Sequence, residues 1–193
     1  MTVLTKERTL EERIEALETA LHSTGLDSAA TDPLAANRVC MVVFSGDLDK
    51  VLAALTMATG AAAMGTDVCL FFTFWATPVL RRAHSGHVDR PVIDRVLGRM
   101  LPRGTKGLKL SRMNMGGLGT AMIKRRMREK QFASCDELLE MARESGVRIR
   151  VCDMSMDLLG IRMDELIDYP GLEQCGVATF MEAALDSCVT LFV

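Results

Sequence analysis

The chemistry available to this 193-residue chain centres on six cysteines, none of them in a C-x-x-C pair. Without that spacing, the usual signatures of a redox dithiol and of a zinc knuckle are both missing. Each thiol is therefore read from its own position. Cys152 closes the apolar run at 147–152 and is followed by DMSMDLLG, which predicts a short helix stopping at Gly160. In open parallel sheets, ligands gather beyond the carboxyl ends of the strands. A thiol there has access, and the start of the next helix favours its thiolate. Strand alternation puts Arg148, Arg150 and Cys152 on one face, opposite Val147, Ile149 and Val151. The two guanidinium groups are then candidates for thiolate support, and Asp153 opposes them. Cys152 reads as a functional nucleophile, with an ordinary strand-end residue as the alternative.

The other thiols are less pointed. Cys175 precedes GVATFMEAALDS, a predicted helix, and is a candidate second thiol. Ser134 and Glu137 form an S-x-x-E capping box that places Cys135 in the first turn of a helix, where Asp136 and Glu137 oppose its ionisation. Cys40, Cys69 and Cys188 lie within or at the start of apolar runs, where cysteine behaves as a small buried hydrophobe. The sequence has no GxxxxGK[ST], HExxH or GxSxG, and GGLG at 116–119 lacks the dinucleotide spacing. His84 and His87 stand three apart without a third ligand in view, so no metal site is expected.

The elements that must position these residues follow from hydrophobic patterning. Apolar, β-rich runs at 39–44, 68–75, 147–152 and 189–193 predict strands, and the Ala-rich stretch 48–64 predicts a helix ending at Gly65. Fully apolar strands separated by amphipathic helices specify an α/β, Rossmann-like three-layer fold with a mostly parallel sheet. Ahead of it, Leu10, Ile14, Leu17 and Leu21 draw a heptad seam along a helix at 5–23, and a Gly-, Ser-, Asp- and Pro-bearing linker runs to residue 37. The domain proper is 38–193.

The formal net charge of −2 argues against a dedicated nucleic-acid binder but hides a strong segregation. Residues 81–130 carry 14 basic and 3 acidic groups, between two acidic flanks. This Met- and Gly-rich stretch reads as an insertion, with helices near 89–101 and 118–130 joined by a glycine-bearing loop. Asn114, Gly116 and Gly117 in that loop are candidates for holding an anion, and the basic segment as a whole for steering an acidic partner. No apolar run reaches the roughly 18–20 residues of a membrane span. The polar start lacks a signal-like apolar region, so a reducing, cytoplasmic setting is expected.

The combination FSGDLDK (44–50), AAAMG (61–65), FFTFW (71–75), PRGTKGLKLSRMNMGGLGT (102–120), CDMSMDLLGI (152–161), ELID (165–168) and GVATF (176–180) resembles the DsrE/DsrF/DsrH-like sulfur-transfer superfamily. Within it, the blocks are most similar to the stand-alone DsrE-type branch labelled "peroxiredoxin-like", although no peroxidatic motif is present. The resemblance covers residues 38–193. It implies a parallel-sheet fold, a homo-oligomer, and a cysteine carrying sulfane sulfur as a persulfide, which maps onto Cys152 in its C-x-M-S-M-D block. It also implies TusA-type sulfur carriers and rhodaneses as partners, and a sulfurtransferase that needs no cofactor. Cys175 is not carried over by it. The alternative is a non-catalytic assembly or regulatory module that binds a partner or an anionic ligand through the basic segment.

Overall fold

The computed structural model describes residues 37–82, 98 and 100–193. The expected helix at 5–23 and nearly all of the linker lie outside the described residues. So do most of the expected helix at 89–101 and both histidines of the H-x-x-H pair. No described helix is long and apolar enough to cross a membrane.

Among the described residues, five strands form one sheet: β1 (Arg38–Val43), β2 (Asp67–Phe72), β3 (Arg148–Cys152), β4 (Leu172–Cys175) and β5 (Val189–Phe192), in the order β4-β3-β2-β1-β5. All four pairings are parallel. The apolar runs explain this arrangement, because strands buried on both faces cannot alternate between apolar and polar. The strand expected at 68–75 stops earlier, at Phe72. Phe74 adopts φ 45° and the chain turns into a 3-10 segment, Phe74–Leu80. β4, with only Leu172 and Cys175 apolar among its four residues, is too short and polar for periodicity to find.

One face of the sheet carries Met41, Val43, Leu70, Phe72, Ile149 and Val151 and holds the main core. Helix α1 (Leu48–Ala63) covers it with Val51, Leu55 and Ala58, spaced four and three apart as a helical stripe requires. Gly65, at φ 79°, supplies the left-handed residue that ends α1. After α2 (Leu118–Glu129), α3 (Cys135–Glu144) packs beside α1 on the same face through Leu138, Leu139 and Ala142. The predicted capping box is present, with Ser134 accepting from the Glu137 amide and Glu137 accepting from the Ser134 amide. Helix α4 (Asp153–Leu159) follows β3 directly and ends at Gly160, φ 62°.

The opposite face is covered differently. Helix α5 (Val177–Leu185) crosses it between β4 and β5 and buries only one of its own side chains, Phe180. Phe180 stacks on Phe71 at 4.5 Å, with planes 14° apart. Beneath and beside it lie Cys40, Cys69 and Cys152, with Val42, Cys175, Ala183 and Ala184 at the margin.

Candidate functional site: thiols beneath helix α5

The face under α5 is built by register. Cys40 and Cys69 are direct partners on β1 and β2, and Cys152 and Cys175 are direct partners on β3 and β4. Four of the six cysteines therefore stand as two side-by-side pairs on one surface. The shared positions in VCMVV and VCLFF carried this signal for the first pair, since equal offsets in neighbouring parallel strands place both thiols level. It could be read only once β1 and β2 were known to be adjacent.

Cys152 sits at the last residue of β3 and forms the N-cap of α4, as the sequence predicts. Its exposure differs from the expectation: the residue is completely buried, closed over by α5. Its Sγ lies 4.0 Å from Asp153 Oδ1. That same carboxylate oxygen accepts the Met154 amide at 2.6 Å, so Asp153 occupies a donor at the start of α4 that was expected to favour the thiolate. Cys175 is less enclosed. Burial pushes its pKa up, and the Arg150 charge works in the other direction.

The two arginines share the Cys152 face as predicted, but each is engaged elsewhere. Arg148 donates to Asp67 Oδ2 at 2.6 Å, an oxygen that also accepts Arg38 Nε at 2.9 Å. Arg150 donates to Glu173 Oε1 at 2.5 Å and to the Thr179 carbonyl of α5 at 3.4 Å. The guanidinium groups thus tie strands and α5 together, and Arg150 bears electrostatically on Cys175.

The lower pair is electrostatically distinct. A hydrogen bond from Cys69 draws the Cys40 pKa down against the effect of burial, with help from Ser187, Arg38 and Arg148. Cys69, the donor, is pushed up by that bond and by its own burial. Cys40 also reaches the Ala183 carbonyl of α5 at 3.4 Å. Both belong to the core, as expected. Cys188 does not: it is exposed, and its Sγ donates to the Arg38 carbonyl at 3.0 Å, because it precedes an edge strand instead of lying inside one.

The rim above Cys152 is held by hydroxyl groups. Ser155 Oγ lies 2.8 Å from Thr73 Oγ1 and accepts the Phe74 amide at 2.9 Å. This fixes the left-handed turn that ends β2 and presents Trp75 and Met154, both about half exposed. Gly46 is required on the facing loop, since a Cβ there would overlap the Trp75 carbonyl.

The remaining candidates lie elsewhere. Asn114, Gly116 and Gly117 belong to the loop before α2, bonded through Ser111 to Asp49 of α1. The Gly117 and Gly119 amides both point to the Asn114 carbonyl, and the Asn114 side chain accepts from Thr120. No hydrogen bond or ion pair among the described residues joins this loop to Cys152. Cys135, buried at the start of α3, has its pKa raised to about 11 by burial and Asp136. It lines a groove of about 240 Å³ with Lys106, Lys124 and Arg128. Among the described residues, no cluster of three or more His, Cys, Asp or Glu is placed to hold a metal.

Comparison with known proteins gives this arrangement a context. Residues 35–192 match the model of the DsrE/DsrF/DrsH-like family. The chain is 40% identical over 156 residues to YrkE of Bacillus subtilis (strain 168), covering 81% of this chain and 96% of that protein. It is 31% identical over 159 residues to the sulfur carrier protein DsrE2 of Allochromatium vinosum, covering 81% and 98%. A solved structure, the ychN protein from E. coli, aligns with a TM-score of 0.47 at 12% identity over 81% of this chain and 99% of that one. By the family match over residues 35–192, the chain belongs to the DsrE/DsrF/DrsH-like family.

Proposed function

We propose that the protein carries sulfane sulfur as a persulfide on Cys152 and exchanges it with small sulfur-carrier proteins of the TusA type or with a rhodanese. In this reading it acts in the cytoplasm as a homo-oligomer and as a sulfurtransferase in the carrier sense. Family membership and similarity to a named sulfur carrier support sulfur transfer in general. The observation that carries the assignment to Cys152 is its place at the carboxyl end of β3, on a face where a second thiol stands in register.

The chemistry requires no cofactor. The Cys152 thiolate attacks the terminal sulfur of a donor persulfide. A new S–S bond forms at Cys152, the donor S–S bond breaks, and the donor leaves as a thiolate, with no net oxidation. Delivery is the same exchange, with the acceptor thiolate attacking the carried sulfur. Because Cys152 is buried, α5 or the adjoining rim must move for exchange, and α5, which fully buries only Phe180 and is otherwise held by the Arg150 and Cys40 bonds to its carbonyls, is the element to do so.

Incubation with a persulfide donor, followed by intact mass measurement, should show a gain of about 32 Da per sulfur that is absent in Cys152→Ser. Full loading of that variant would sink the assignment. The second reading, a binding module working through the basic segment, draws on α2, which buries only Thr120 and leaves its cationic surface outward. Charge reversal at Lys124, Arg125 and Arg126 should abolish partner binding under that reading, whereas Cys152→Ala should leave it intact.

A further inference from the structure

We propose that the protein can also discharge its cargo reductively, with Cys175 attacking the Cys152 persulfide, releasing hydrosulfide and closing a Cys152–Cys175 disulfide. The proposal rests on the reading that Cys152 carries the persulfide. It assigns to Cys175 a role that no part of that reading needs.

Cys152 and Cys175 are direct partners on adjacent parallel strands, with both side chains on the α5 face. Neighbouring strands lie about 4.8 Å apart. That separation falls within the roughly 4.4–6.8 Å of Cα spacing that disulfides span. No other described thiol is so placed. Cys69 lies level with Arg148, four residues below Cys152 along β3, or about 13 Å at strand rise. Cys40 is one strand further away.

Register also selects the sulfur that is attacked. Register sets Sγ of Cys152, the inner sulfur of a persulfide carried there, level with the Cys175 side chain. The Cys175 thiolate therefore meets Sγ. The Cys152–Cys175 S–S bond forms, the bond from Sγ to the outer sulfur breaks, and the outer sulfur leaves as HS⁻. Hydrosulfide is a better leaving group than an alkyl thiolate, which favours this direction. Electrons balance: the sulfane sulfur is reduced to sulfide as two cysteine thiols become a disulfide. The cycle closes when an external dithiol reduces that disulfide. Cys175 is the less enclosed partner, so an incoming dithiol meets it first.

The test uses the full chain, reduced and loaded anaerobically with cysteine persulfide, then freed of donor. Sulfide is trapped with monobromobimane while intact mass is followed. The wild type should release sulfide and pass from about 32 Da above the reduced mass to about 2 Da below it. Peptide mapping should find Cys152 joined to Cys175 within one chain, and dithiothreitol should restore the reduced mass. Cys175→Ser, a near-isosteric change at a half-buried position, should load fully but release sulfide at least about tenfold more slowly. Release from Cys175→Ser at the wild-type rate, or a wild type that keeps its added sulfur without forming the disulfide, overturns this inference and leaves the carrier reading standing. Full loading of Cys152→Ser overturns the carrier reading itself, and this inference with it.

Discussion

Replacing Phe180 by alanine tests whether α5 is a cover over the thiols that opens without unfolding the domain. The side chain is the only one α5 buries, and it stacks on Phe71 at 4.5 Å. Burying a side chain of this size contributes about 1.5–3 kcal/mol. A stacked aromatic pair adds about 0.5–1.5 kcal/mol. Removing the ring should therefore cost about 3 kcal/mol, at the lower end of measured Phe→Ala effects because α5 packs on one side only. A nine-residue helix has no stability of its own to fall back on. The loss should appear as an increase of about a hundredfold in the open population. Alkylation under native conditions, read residue by residue by mass spectrometry, follows that population when reclosing is fast. Cys152 should label about a hundredfold faster in Phe180→Ala, whereas Cys135, buried on the far side at the start of α3, should keep its wild-type rate. If Cys152 labels no faster, α5 is not the gate. If Cys135 accelerates in parallel, the domain has been loosened as a whole and the local reasoning is wrong.

Three further outcomes concern stability. The Arg81–Glu165 ion pair, 2.9 Å and almost fully enclosed, joins the segment after β2 to the 3-10 turn before β4. Glu165→Ala leaves a buried guanidinium without its carboxylate and should lower unfolding stability by about 3–5 kcal/mol in a urea titration. Ser134→Ala removes the cap of α3 and should cost about 1 kcal/mol, visible as a lower urea midpoint at unchanged m-value. Asp67 loses pKa to its hydrogen bonds with Arg148 and Arg38, which outweigh its desolvation. A carboxylate held low stabilises the fold above its unfolded pKa of about 3.9 and loses that contribution as pH falls through the folded value. Stability of the wild type should therefore drop more steeply below about pH 4 than that of Asp67→Asn, by less than about 1 kcal/mol because the group is partly exposed. Equal acid profiles would remove Asp67 from the account.

Much of this architecture was legible in the chain because its strands are short, wholly apolar runs. VCMVV and VCLFF admit little except buried parallel strands, and Ser134 with Glu137 announces α3 unambiguously. What could not be read depends on lateral order. Cys152 was identifiable as a strand-end thiol, but its neighbours were not, since β4 is four mostly polar residues and its register is a tertiary fact. The burial of Cys152 was hidden for the same reason: α5 returns from one edge of the sheet to the other, and no local pattern reports what a helix crosses. Arg148 and Arg150 were placed on the right face, yet their carboxylates, Asp67 and Glu173, come from strands on either side. Cys188 misled because VTLF reads as a core strand when it is in fact an edge.

The strand order also sets a timetable for synthesis. Chains fold broadly from the N-terminus as they emerge. Strands β1, β2, β3 and β4 can pair in sequence, but the partner on the other side of β1 is supplied by residues 189–192, and Cys188, which leads into them, stands 150 residues from Arg38, where β1 begins. Until α5 and β5 arrive, the nascent sheet presents Cys40, Cys69 and Cys152 uncovered beside an open β1 edge, a combination that invites both oxidation and strand-to-strand aggregation. The newborn chain thus passes through a period in which these thiols are uncovered, and a ribosome stalled before residue 177 would hold it there.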